Sequence, residues 1–295
     1  MSWNSVGGSS PAHCCSSPRC GGGCPGPLTS GAACPRRPPD PRTPDLARTT
    51  RNPLVSVFGK YAKEATITVA EQVTPTMRRL RLVADETIAF PYTPGQHIRI
   101  ELLDPLSVAG ILRPAETLRT YTIWELDPDE RAIELRIHLY RGDGIGLRWA
   151  RAARVGDRVT FWWPQGDFFT RPAPYHVFIG EETASAAFGP MIRALDASAE
   201  VHGVLESEAP EHDLPMPGTR PLRRVHRRGR PATSSPALLA AVADLDLPGE
   251  AGAAYVAGEA RTCQLVRDFL VRERHWPRTA IKVKPFWTPG KRGLH

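Results

Sequence analysis

The sequence predicts a β-barrel followed by an open α/β domain, and three observations carry that expectation. From Ala65 to about Thr170, short stretches alternate apolar and polar residues with period two, broken by turn residues. After Tyr175 the period changes, and helical patterns alternate with short apolar runs. At 295 residues the chain is also long enough for two domains. The expected division is a tail over 1–55, a barrel over 56–172 and an α/β domain over 173–295.

The elements follow in order. Ile98, Ile100 and Leu102 alternate with Arg99, Glu101 and Leu103 after a Pro94-Gly95 turn. Ile133, Leu135, Ile137 and Leu139 alternate with Glu134, Arg136, His138 and Tyr140, the cleanest such run in the chain. Val159 and Phe161 follow Gly156-Asp157 in the same way. About six short antiparallel strands divided by turns suit a small barrel. Beyond Tyr175, Val177-Phe178-Ile179 reads as a strand. Ala184, Ala187, Phe188, Met191, Ile192 and Leu195 then recur at helical spacing. Val201–Leu205, Ala253–Ala257 and Ile281 with Val283 read as further strands. Pro236–Leu245 and a segment with Val266, Phe269 and Leu270 read as helices. Alternating strands and helices imply a parallel sheet with crossover helices.

Composition narrows the function classes. The formal charge is +7, but residues 1–53 hold six arginines against Asp40 and Asp45. The nearly neutral remainder argues against a nucleic-acid surface. No apolar run approaches the roughly 18 residues of a membrane span. The first fifty residues are rich in Gly, Pro, Ser and Cys and poor in large aliphatics, which predicts a disordered tail. Five of the six cysteines lie there (Cys14, Cys15, Cys20, Cys24, Cys34). Cys15 and Cys20 have the four-residue gap of a plant-type iron–sulfur site, but Cys20 to Cys24 is three residues where two are needed, and no histidine or second CxxC completes a zinc site, so no metal is expected. The remaining cysteine, Cys263, suits a reducing cytoplasm.

The stretch that points to chemistry is Arg119-Thr120-Tyr121-Thr122. In a strand Arg119 and Tyr121 share one face. A guanidinium offers paired donors to phosphate, and a tyrosine two residues on offers a flat ring. Phosphate and flat ring on one ligand suggest a flavin nucleotide, although an ordinary edge strand has the same composition. Glycines 142, 144 and 146 allow backbone N–H groups to approach an anion. Gly180-Glu181-Glu182-Thr183 lies between a strand and a helix, where open α/β sheets bind nucleotides, with Thr183 as a candidate cap. It is no GxGxxG, and its two carboxylates would repel a pyrophosphate. Acids near a helix N-terminus are also stabilising without any ligand.

Five stretches together resemble the siderophore-interacting protein family, flavin-dependent ferric-siderophore reductases of the ferredoxin-NADP reductase superfamily. They are Tyr92-Thr93-Pro94-Gly95-Gln96-His97, Arg119 to Thr122, His138 to Ala150, Gly180 to Ala184, and Ala257-Gly258-Glu259-Ala260 with the Trp287-containing tail. The resemblance implies an FAD-binding barrel and an NAD(P)-binding α/β domain. By that resemblance FAD would be held by His97, Arg119, Tyr121, Thr122, His138, Gly144, Gly146, Arg148 and Trp149. Leu147 stands where the family commonly has serine, so one phosphate contact is missing and Arg148 would carry more of the charge. For Trp149 taken alone, a plain core role is the simpler reading. Glu182, Thr183, Ala184 and Gly258 would meet the nicotinamide cofactor, with Tyr121 and Glu259 nearest the chemistry. Arg220, Arg223, Arg224, Arg227, Arg228 and Arg230 would reach a 2′-phosphate, which favours NADPH over NADH, or form a solvated face. Lys284, Lys291 and Arg292, beside Pro285-Phe286-Trp287, would take an anionic ferric siderophore. A cytoplasmic monomer passing electrons from NAD(P)H through FAD to ferric siderophore is the expected function. The alternatives are a flavin reductase serving an oxygenase or other redox protein, and a siderophore carrier without redox work.

Overall fold

A computed structural model describes residues 62–103, 108, 112, 117–218 and 222–291. The expected tail, with its five cysteines, lies outside the described residues, as do Arg220 and Arg292.

Six antiparallel strands close into a barrel in the order β1-β2-β5-β4-β3-β6. They are β1 (Ala62–Thr74), β2 (Met77–Ala84), β3 (His97–Glu101), β4 (Leu118–Asp127), β5 (Ala132–His138) and β6 (Arg158–Gln165). Helix α1 (Ile145–Ala152) lies between β5 and β6. The period-two residues fill the barrel: Ile98, Ile100, Ile133, Leu135 and Phe161 are fully buried beside Ile67, Leu80, Leu82 and Ile123. Each such side chain contributes about 1.5–3 kcal/mol of burial. Closure leaves no unpaired sheet edge in this half.

The second half is a parallel sheet in the order β11-β10-β7-β8-β9. Its elements are β7 (Tyr175–Glu181), α2 (Glu182–Arg193), β8 (Glu200–Ser207), β9 (Arg223–His226), α3 (Pro236–Ala243), β10 (Ala253–Glu259), α4 (Ala260–Arg272) and β11 (Ile281–Trp287). The central strands β7 and β10 are buried along their whole length. Alternate side chains feed opposite layers. Phe178 and Tyr255 pack with Phe188 and Met191 of α2, while Val177, Ile179 and Val256 pack with Val266 and Leu270 of α4. The helices that follow β7 and β10 therefore leave on opposite faces, and the carboxyl ends of these two neighbouring strands form the switch point of the sheet.

One expectation changes where the two halves meet. The β5 alternation predicts Glu134 and Arg136 on a solvated face, yet Glu134 is buried. It is held by Arg79 at 2.7 Å and by Arg136 at 2.6 Å. Arg136 in turn lies 5.0 Å from the ring centroid of Trp124 on β4. Arg193 of α2 donates to the Trp124 carbonyl at 2.6 Å, and Trp124 packs directly on Gly189 of the same helix. Helix α2 thus covers a strand face that the barrel alone would leave wet.

Candidate functional site

The barrel half of the site is built around α1. Arg119 and Tyr121 project from β4 onto its first turn, so close that a Cβ on Gly146 would lie 2.9 Å from the Tyr121 hydroxyl and 3.0 Å from Arg119 Cγ. The Tyr121 hydroxyl donates to the Gly146 carbonyl at 3.0 Å, and its ring packs on Trp149 with centroids 5.4 Å apart. Burial raises the Tyr121 pKa above its ordinary value. Trp149 packs against the barrel core, as the simpler reading expects, and backs the tyrosine there. The Gly142–Trp149 segment runs into helix α1.

The two ends of α1 are treated differently. Arg78 of β2 donates to the carbonyls of Arg151 and Ala153, each at 2.6 Å, and so satisfies the C-terminal end. Arg151 reaches back to the carbonyls of Gly142 at 2.9 Å and Tyr140 at 2.6 Å, which braces the loop. The N-terminal end starts at Gly144, takes no side-chain cap among the described residues, and carries no acidic residue in its first turn. A turn of backbone N–H groups with a positive partial charge, bordered by the Arg119 side chain, suits a phosphate. Arg148 is exposed, its guanidinium donating to the Asp143 carbonyl. These residues fit the phosphate end of a flavin nucleotide.

The α/β half presents the opposite chemistry. Glu181 is the N-cap of α2, accepting from Thr183 N at 3.0 Å and from the Thr183 hydroxyl. It also accepts from Trp287 Nε1 at 2.9 Å. The expectation that Thr183 caps this helix is thus corrected: the preceding carboxylate reaches further and takes both Thr183 donors. Glu259 caps α4 in the same manner, accepting from Thr262 N at 2.8 Å. Gly258 has φ of 124° and is packed so tightly that a Cβ would lie 2.7 Å from Glu181 Oε1. Only glycine tolerates both conditions.

Beneath these caps lies a buried ionic cluster. Glu182, 4% exposed, accepts from Glu208 N and from Arg227, each at 2.7 Å. Arg227 also lies 3.6 Å from both Glu206 and Glu208, and the Ser235 hydroxyl donates to Glu206. Burial raises the Glu206 pKa, with Ser235 and Arg227 opposing. His138, at the end of β5, places Nε2 3.7 Å from Glu182, and its ring stacks on Tyr140. Burial lowers the His138 pKa, while Glu181 and Glu182 pull it the other way. The arginine run is accordingly split. Arg227 is turned inward, Arg224 donates to the Leu214 carbonyl at 2.9 Å, and Arg223 is 3.5 Å from Asp244. Among the described members of the run, Arg223, Arg228 and Arg230 are exposed.

The third part is a basic rim. His97 on β3 pairs with Thr122 on β4. Its pKa is pushed down to about 4 by burial, then by Lys284 and Arg99. The structure thus brings Lys284 of β11 to the barrel strand carrying His97, two positions 187 residues apart in the chain. Arg99, exposed on β3, joins them and was missed by the sequence reading, because one arginine on an alternating strand carries no signal. Lys282 is drawn away to Asp167 and lies 4.7 Å from the Phe169 ring centroid. Lys291 is exposed just after the turn that follows β11.

Both halves of the chain are similar to known proteins. Residues 66–168 match the family model described as the siderophore-interacting FAD-binding domain, and residues 173–290 match that of the siderophore-interacting protein. The ferric vibriobactin reductase ViuB of Vibrio cholerae is 27% identical over 238 residues, covering 74% of this chain and 86% of ViuB. The mycobactin import ATP-binding/permease protein IrtA of Mycolicibacterium smegmatis is 26% identical over 254 residues, covering 83% of this chain. The chain spans only 28% of that longer relative. Among solved structures, the siderophore-interacting protein SipS from Aeromonas hydrophila superposes with a TM-score of 0.66 at 25% identity, covering 78% of this chain and 93% of SipS. A siderophore utilization protein from T. fusca gives a TM-score of 0.68 at 22% identity, covering 79% and 95% of the two chains, a likeness of fold. With both halves matched in order, over a closed barrel and a parallel sheet, the chain belongs to the siderophore-interacting protein family and carries its FAD-binding domain.

Proposed function

We propose that the chain passes electrons from NAD(P)H through FAD to a ferric siderophore, releasing Fe(II) for assimilation in the cytoplasm, and that it acts as a monomer. The observation that carries this reading is the uncapped N-terminal turn of α1 beside Arg119, inside the region matched to an FAD-binding domain. Arg119 and the α1 backbone would hold the flavin's phosphates, with Arg148 adding charge. His97, Thr122, His138, Gly144, Gly146 and Trp149 would shape the remainder of that pocket. Bound FAD would supply acceptance of a hydride and its release as single electrons.

Tyr121 and Glu259 would touch the reacting rings, Tyr121 on the flavin side and Glu259 with Gly258 and Ala184 on the nicotinamide side. Glu182 and Thr183 would act from behind, through the network that fixes the α2 end. With Arg224 and Arg227 engaged internally, a preference for NADPH over NADH would rest on the exposed Arg223, Arg228 and Arg230. Lys284, with Arg99, would attract an anionic ferric chelate to the rim, and Lys291 and Arg292 would extend that field. Oxygen chelators hold Fe(III) more tightly than Fe(II), so reduction alone frees the metal.

Anaerobic spectroscopy tests the reading. The purified protein should show flavin absorbance that bleaches with NAD(P)H and returns on adding a ferric siderophore, with Fe(II) trapped by a ferrous chelator. A bleached flavin that ignores ferric siderophores would favour a reductase serving another redox protein. A flavin-free protein that binds the siderophore would favour a carrier.

A further inference from the structure

We propose that Glu181 makes the switch-point crevice select against the diphosphate of its electron donor, so that the donor is recognised through its nicotinamide half. This rests on the nicotinamide reading above and deepens it. In an open α/β sheet, the helix N-termini at the switch point are the usual seats for a nucleotide's diphosphate. Here both are filled by the chain's own carboxylates. Glu181, 2% exposed, takes the Thr183 backbone N–H, the Thr183 hydroxyl and the Trp287 indole N–H. Glu259 takes Thr262 N and the Thr262 hydroxyl at 2.8 and 3.1 Å. Arg227, turned inward beneath them, is already shared among Glu182, Glu206 and Glu208. A diphosphate placed here would meet the fixed negative charge of Glu181 and Glu259, each already holding a first-turn N–H of its helix.

A second observation shows what the crevice does offer. Oε1 of Glu259 is buried and has no hydrogen-bond partner among the described residues, although the residue is only 1% exposed. A buried carboxylate oxygen in that state is costly, and an N–H donor relieves it. The carboxamide of a nicotinamide carries such a donor. The crevice is therefore built to accept an amide and to refuse a diphosphate, which stays outside in solvent. The α1 end, with no side-chain cap among the described residues and no acid in its first turn, makes the contrast within the same chain.

The test uses the flavin-loaded protein and ADP-ribose, which carries the donor's diphosphate and adenosine without its nicotinamide. Calorimetry should show ADP-ribose binding to wild type far more weakly than NADH half-saturates flavin bleaching. Glu181→Gln, which removes the charge and keeps the shape, should tighten ADP-ribose binding about tenfold. In wild type, NADH and reduced nicotinamide mononucleotide should half-saturate bleaching within about threefold of each other. The proposal is overturned if ADP-ribose binds wild type as tightly as NADH acts, or if Glu181→Gln brings no gain. Should that variant fold poorly, the comparison in wild type decides: NADH more than about tenfold better than the mononucleotide contradicts the proposal. If no nicotinamide bleaches the flavin while ADP-ribose binding still rises in Glu181→Gln, the donor reading falls and the exclusion of diphosphate by Glu181 stands.

Discussion

The indole N–H of Trp287, at the end of the last strand, donates to Glu181, at the end of the first strand of the sheet, over 2.9 Å. This bond crosses β10 and ties both sides of the switch point together. Trp287→Phe keeps the ring and removes the donor. A hydrogen bond to a charged group is worth about 1.5–3 kcal/mol. Urea unfolding of Trp287→Phe should show a loss of that order, with an unchanged denaturant slope. An unchanged midpoint would mean that the Thr183 contacts alone hold the carboxylate.

The seam between barrel and sheet makes a separate prediction. Gly189 of α2 is packed against the Trp124 ring, with no space for a side chain. Gly189→Ala gains helix propensity but forces the ring or the helix to move, and overpacking costs about 1–3 kcal/mol. Thermal unfolding should register a net destabilisation, with Trp124 fluorescence altered. A stabilised variant would show that the two halves yield easily against each other.

Acid stability should depend on His97. Its pKa in the folded chain is about 4 and its ordinary value is 6.5, so the unfolded chain binds the extra proton between those limits. Stability from this group is fully present above pH 6.5 and is lost as pH falls toward 4. His138 is shifted in the same direction, chiefly by burial. His97→Gln should flatten the decline in stability between pH 6.5 and 4, followed by denaturant titration at each pH. A profile as steep as wild type would assign the whole decline to His138 and the carboxylates.

Much of the fold was legible because strand and helix periods are set by which face is buried. Ile133, Leu135 and Ile137 point where their alternation says, and the change of period near Tyr175 marks the start of the sheet domain. The site was less legible, for a physical reason. Spacing shows that Glu181 and Glu182 stand at a helix start, but not whether their side chains face a ligand or fold back. They fold back, because Thr183 supplies donors locally and Trp287, Glu208 and Arg227 supply them from distant parts of the chain. Arg227 looked like one member of a surface run for the same reason. Lys284, His97 and Arg99 form a group only after the last strand is laid beside β10.

That rim predicts a charge-dependent acceptor. Replacing Lys284 and Lys291 with Ala should raise the apparent KM for a ferric siderophore and flatten its salt dependence, since exposed charge is screened over about 8–10 Å near physiological ionic strength. Flavin bleaching by NAD(P)H without acceptor should change little. Equal loss in both half-reactions would move these lysines to the donor side or to the fold.

The most direct test of the central claim is the flavin affinity of Arg119→Ala, measured by titrating flavin-depleted protein with FAD. A charge-assisted phosphate contact beside the uncapped end of α1 is worth about 1.5–3 kcal/mol, so the dissociation constant should rise about 10- to 100-fold. FAD binding as tight as wild type would contradict the assignment of Arg119 and the first turn of α1 to the flavin's phosphates.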